Sequence, residues 1–194
     1  MRRLMMKVLV FSDTTGGMKE LVEKHGLVEV KPDLILLLGD IHKRALYAID
    51  YFFKDTPKYG ILGNHDSVNA FEDTSIESIH RKVINFNGYK IAGFNGVPYY
   101  SDNLKIHAQY SESELASFLD SIGTVDIFIA HANPQWARPE DETDLYRGFE
   151  GYSNYLLRDQ PKLFLHGHTH DSMMYEIDDS TIINIDGYQV LTID

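Results

Sequence analysis

Five short apolar runs, each stopped by a polar or glycine-containing turn, constrain this chain more than any other feature: Val8 to Phe11, Leu34 to Leu38, Tyr59 to Leu62, Val125 to Ala130 and Leu163 to Leu165. Runs of this length, rich in branched residues, read as strands covered on both faces. Between the first three lie stretches of helical period, one carrying Met18, Leu21 and Val22, the other Leu46, Ile49, Tyr51, Phe52 and Phe53. The opening is therefore β-α-β-α-β. Such units lay their strands parallel and place ligands outside the carboxyl ends of the strands.

The middle and the tail read differently. Asn87-Gly88 separates Val83 to Phe86 from Tyr89 to Phe94 and predicts a hairpin, because Asn-Gly supplies the two positive φ values of a type I′ turn. Ser111-Glu112-Ser113-Glu114 is a capping box opening a helix through Leu119, and a second helix is predicted from about Tyr152 to Arg158, stopped before Pro161. Met173 to Ile177, Thr181 to Ile185 and Tyr188 to Ile193 read as a meander of short strands. With no repeat, low-complexity segment or linker-like break, residues 1–194 are expected to form one α/β domain with a mixed sheet.

Composition narrows the chemistry. Of the 194 residues, 18 are basic and 29 acidic, a formal charge of −11, the wrong sign for gripping a phosphate backbone; a nucleic-acid polymer is not the expected partner. The absence of cysteine removes disulfides, thiolate nucleophiles and iron–sulfur clusters, so any metal must be held by oxygen and imidazole nitrogen. Two arginines and a short apolar run open the chain, but that run is broken by Lys7 and no small-residue cleavage site follows it. Nowhere do roughly 18 apolar residues occur in succession, so the expectation is a cytoplasmic protein with no membrane segment.

The residues that end the strands carry the chemistry. They are Ser12-Asp13, Gly39-Asp40, Gly63-Asn64-His65-Asp66, Ala130-His131 and Gly167-His168-Thr169-His170. Each alone passes for an ordinary turn, although His168 and His170, at i and i+2, point two imidazoles the same way in extended backbone. Five unrelated turns would rarely collect carboxylates, an amide and imidazoles with no Lys or Arg among them. Such a set suits Mn²⁺, Fe²⁺ or Zn²⁺, and seven such groups are enough for a two-metal site.

In this order the motifs resemble those of the calcineurin-like metallophosphoesterases, D-x-H, G-D, G-N-H-[DE], a lone His after a strand, and G-H-x-H. The resemblance implies a four-layer αββα fold, mixed β-sheets sandwiched by helices. It implies two divalent metal ions, Mn²⁺ first, with Fe²⁺, Zn²⁺ or Ni²⁺ as alternatives, and a small phosphoester substrate, a diester favoured over a monoester. By that likeness Asp40 bridges the ions, Asp13 and His170 hold one, and Asn64, His131 and His168 hold the other. His65 is then the general acid that protonates the departing alkoxide after in-line attack by a hydroxide shared between the ions. Asn184-Ile185-Asp186-Gly187 stands where small prokaryotic members carry a strand-ending N-P-G.

One motif departs from the pattern. Thr15 stands where the family places its first histidine, and a neutral hydroxyl is a poorer ligand than imidazole. The first site is then completed by water, by another group such as His42, or is lost. Loss would fit the alternative reading, a catalytically weak metal-binding scaffold or protein-interaction module of the same fold. Lys43 and Arg44 lie close enough to the Gly-Asp turn to meet a phosphate, with Arg44 the candidate substrate contact. Trp136, Tyr146, Phe149 and Tyr152 form either an aromatic wall for a base or aryl group, ordinary packing, or a contact in a homo-oligomer.

Overall fold

Alternation along each strand decides the layers. A computed structural model describes residues 5–14, 26–103, 107–137 and 144–194. In β1 (Met6–Ser12), Val8 and Val10 face one core while Leu9 and Phe11 face another. The same split runs through β2 (Leu34–Leu37), with Leu34 and Leu36 on the first side and Ile35 and Leu37 on the second. β1, β2 and β3 (Lys58–Gly60) are parallel, as the β-α-β-α-β opening requires, and the short β4 (Glu77–Ser78) extends the sheet.

A second sheet has the order β11-β12-β10-β9-β6-β5, where β5 is Lys82–Phe86, β6 Tyr89–Phe94, β9 Ile127–Ala130, β10 Leu163–His166, β11 Met173–Ile177 and β12 Ser180–Asn184. β7 (Val97–Pro98) and β8 (Gln109–Tyr110) pair separately. The two sheets meet across Val8, Val10, Leu34 and Leu36 on one side and Ile127, Ile129 and Leu165 on the other. α1 (Lys43–Phe52) covers the outer face of the first sheet with Ala45, Leu46 and Ile49. α2 (Glu112–Ile122) and α3 (Glu150–Asp159) cover the outer face of the second with Leu115, Phe118, Leu119, Tyr152, Tyr155 and Leu156. Helix, sheet, sheet, helix is the four-layer αββα order that the motifs implied. Among the described residues, no helix is long and apolar enough to cross a membrane.

The local signals hold. Asn87 and Gly88 have φ of 50° and 85° and close the β5–β6 hairpin, and Ser111 and Glu114 make both halves of the capping box of α2. The helical stretch at Met18, Leu21 and Val22 lies outside the described residues. The tail departs from the expected meander: β11 and β12 form a hairpin in the second sheet, but β13 (Gly187–Ile193) crosses to the first and runs antiparallel to β1, from Met6 opposite Ile193 to Ser12 opposite Gly187. The reason is hydrogen bonding. Without β13, β1, buried at every position but Lys7, would be an edge with its backbone groups unpaired on one side. Ile185, buried between the sheets, and Gly187, at φ +85°, turn the chain across the gap.

Candidate metal centre

The strands that point the same way in both sheets end at one rim, and the motif residues gather there. Asp13 follows β1, Asp40 β2, Asn64 and His65 β3, His131 β9, and His168 and His170 β10. Two glycines permit the approach of these loops. A Cβ on Gly63 would stand 2.1 Å from Asp40 Oδ1, and one on Gly167 would stand 1.9 Å from Ser12 Oγ. Asp66 ties the first sheet's loops together by accepting the backbone N–H groups of Asp40 (2.7 Å), Ile41 (3.1 Å) and Gly63 (2.8 Å). Its burial, with Asp40 nearby, pushes the carboxyl up to about 6 against the pull of those amides.

Ligand atoms of Asp40, His131 and His168 all lie within 4.8 Å of one another. Each imidazole is oriented by a main-chain carbonyl: His131 Nδ1 donates to Leu38 O at 2.9 Å and His168 Nε2 to Leu145 O at 2.8 Å. That leaves His131 Nε2 and His168 Nδ1 as ligand atoms, an arrangement in which the outer hydrogen bond sets both tautomer and ring direction. His131 Nε2 stands 3.4 Å from Asp40 Oδ2 and 3.1 Å from Asn64 Oδ1. On its other side the Asn64 amide donates Nδ2 to Tyr100 Oη at 3.3 Å. Asp40 Oδ1 accepts the His65 backbone N–H at 2.8 Å.

Electrostatics show what this cluster demands. Burial alone would drive a proton off His131, but Asp40 and then Asp13 outweigh it and hold the imidazole up at about 9, while the same neighbourhood keeps Asp40 down at about 2. His168, buried and facing His131, falls to about 3. Asp13 is raised by burial, its side chain is fully enclosed, and its Oδ1 has no hydrogen-bond partner. A buried acceptor without a donor is costly. Anionic oxygens converging on a neutral and a protonated imidazole define a place for positive charge, and the oxygen and nitrogen donors present fit a divalent first-row ion.

The remaining motif residues divide. His170 Nδ1 is 3.9 Å from Asp13 Oδ1, and its side chain is 57% exposed. His65 is exposed and lines a cavity of about 500 Å³ together with Asp13, Asp40, His42, Lys43 and His170. Lys43 reaches this cavity, while the exposed Arg44 is not among its lining residues. His42 also lines it, but its Nδ1 accepts the Arg44 backbone N–H at 3.2 Å and caps α1. Thr15 lies outside the described residues. Phe149 and Tyr152 are core residues rather than an exposed wall; Tyr146 stands beside the site, its ring 5.1 Å from that of His168.

Sequence reasoning missed Tyr100, the Leu38 and Leu145 carbonyls and the cradle at Asp66. Only Asp66 carried a signal, its place in Gly63-Asn64-His65-Asp66. Asp13, Asp40, His168 and His170 all adopt positive φ, a conformation that clusters at functional sites and that residue type alone does not announce.

Packed mixed sheets whose strand ends offer carboxylate, amide and imidazole donors define an α/β protein with a site that could hold a metal ion. The profile of the calcineurin-like phosphoesterases matches residues 6–172, and the chain belongs to that family. An uncharacterized protein of Haemophilus influenzae is 24% identical, covering 73% of this chain and 74% of its own. Among solved structures, TT1561 of Thermus thermophilus superposes with a TM-score of 0.67 at 16% identity, over 93% of this chain and 89% of that one. The phosphopantetheinyl hydrolase PptH of Mycobacterium tuberculosis does so at 0.60 and 10% identity, over 92% and 89%. At these identities the likeness to both structures is one of fold.

Proposed function

We propose that the chain is a phosphodiesterase acting on a small phosphodiester with Mn²⁺, as a single domain. The observation that carries this reading is the convergence of Asp40, His131 and His168, with Asn64 and the orphaned Asp13 Oδ1 beside them, where Asp13 and Asp40 also line the cavity that His65 lines. Asn64, His131 and His168 would hold one ion, Asp13 and His170 the other, with Asp40 between. Bound there, divalent ions supply neutralisation of the phosphoryl oxygens and a lowered pKa for water.

The chain's own residues do the rest. Leu38 and Leu145 carbonyls aim the two buried imidazoles, and Tyr100 aims the Asn64 amide. The His65 backbone is anchored on Asp40, so its imidazole stands at the solvent side of the cavity, where it donates a proton to the departing alkoxide oxygen. Lys43, on the cavity wall, takes the substrate contact assigned from sequence to Arg44, by neutralising charge on the bound ester.

The test compares Asp40→Ala with His65→Ala on aryl and alkyl diesters and on an aryl monoester. Asp40→Ala is expected to lose bound metal and activity together. His65→Ala is expected to keep its metal and to slow alkyl diester hydrolysis by roughly 10² to 10⁴, with a much smaller effect on a good aryl leaving group. Equal losses on both leaving groups would remove the acid role from His65, and faster turnover of the monoester would overturn the diester assignment.

A further inference from the structure

The pairing of β13 with β1 brings to the site a carboxylate that none of the five metal-binding motifs contains. Ser12 stands opposite Gly187 in that register, so the residues just beyond the pair, Asp13 and Asp186, emerge side by side at the rim. His170 Nδ1 lies 3.9 Å from Asp13 Oδ1 and 3.7 Å from Asp186 Oδ1. First-row divalent ions take oxygen and nitrogen donors at about 2.0 to 2.2 Å, so two donors on one ion stand no more than about 4.4 Å apart. Both separations fall inside that bound.

Asp13 Oδ1 is the second, independent sign. Its side chain is fully enclosed, and Oδ2 is used by Ser12 Oγ at 2.6 Å and by the His168 backbone N–H at 2.9 Å, while Oδ1 faces His170 without any hydrogen bond. His42, the other group that could complete this side, spends its Nδ1 on the cap of α1.

Resting on the metal-dependent reading above, we propose that Asp186 is a metal ligand, joining Asp13 and His170 to hold the second divalent ion in an oxygen-rich position. Two carboxylates and one imidazole make this position harder than the one flanked by His131 and His168, which favours Mn²⁺ there over softer ions. The Asp186 side chain is 44% exposed at a turn, so its replacement leaves the core untouched.

The experiment titrates metal-stripped chain with Mn²⁺, following free Mn²⁺ by electron paramagnetic resonance, for the wild type, Asp186→Asn and His42→Asn, each checked by thermal unfolding. The wild type is expected to bind two ions. Asp186→Asn should keep the tighter one unchanged and weaken the other by about 10- to 100-fold, the scale that even outer-shell support commands. That loss should persist in 0.5 M salt, where a charge acting only through space is largely screened. His42→Asn, which keeps a capping acceptor, should bind both ions as the wild type does. A wild type that binds no Mn²⁺ overturns the metal reading and this assignment with it. A wild type that binds one ion overturns the Asp186 assignment together with the second ion of the reading above, while an Asp186→Asn variant that binds both ions as tightly as the wild type, or a loss that vanishes in salt, overturns the assignment of Asp186 alone.

Discussion

At the scale of single residues, the centre depends on hydrogen bonds that reach in from outside the motifs. Tyr100 is the clearest case. An amide can present either its oxygen or its nitrogen, and with Nδ2 donating to the Tyr100 phenol oxygen it is Oδ1 that faces His131. Tyr100→Phe keeps the ring and removes the acceptor, so it should weaken Mn²⁺ binding at the Asn64, His131 and His168 position by roughly tenfold. It should cost the fold no more than about 1 kcal/mol. Paired Mn²⁺ titration and urea unfolding measure both quantities; unchanged affinity would show that the amide is held in another way. The sequence pointed to Asn64, through its place after an apolar run, but not to Tyr100, because 36 residues separate the two and no spacing rule connects them.

At the scale of elements, the centre exists because the loops after β2 and β3 touch. Gly63 lies so close to Asp40 that a methyl group there would meet Asp40 Oδ1 at 2.1 Å and Asp40 N at 2.6 Å. Backbone cannot yield as a flexible side chain does, so Gly63→Ala must part the two loops and displace both Asp40 and the amides that Asp66 collects. The expected outcome is a loss of about 1 to 3 kcal/mol in stability, the usual cost of overpacking, together with loss of bound metal. Calorimetry and metal analysis on the same sample check it; a variant with full metal content would show that the loops tolerate separation. Elements with local signals, such as the Asn87-Gly88 hairpin and the capping box of α2, were readable in advance because all the groups involved sit within a few residues of one another.

For the whole molecule, pH acts through a histidine away from the centre. His80 Nδ1 accepts the Asn95 backbone N–H at 2.9 Å, and its ring packs 5.0 Å from those of both Phe94 and Tyr110. Burial, helped by Arg81 and opposed by Glu114, brings the imidazole down to about 4. The unfolded chain takes up this proton near 6.5 and the folded one resists it, so the unfolded state binds more protons in between. Stability should therefore fall as the pH drops from about 6.5 to about 4, with no contribution from His80 above that window. His80→Gln, which keeps an acceptor but does not titrate, should lose less stability over the same interval in chemical unfolding at stepped pH. Parallel curves for the two proteins would remove His80 as the cause. By itself the sequence determined the parallel opening and the strand-end placement of Asp13, Asp40, Asn64, His131 and His168, since burial on both faces and polar strand ends are recorded locally in residue order; the αββα layering was implied only by the resemblance of its motifs to a family. Only the tertiary structure decided that β13 leaves its neighbours to shield β1, that Asp186 thereby joins Asp13 and His170, and that Asp66, Tyr100 and two carbonyls hold the centre in shape. These are contacts between distant parts of the chain, set by how two sheets pair and pack, and hydrophobic periodicity carries no record of them.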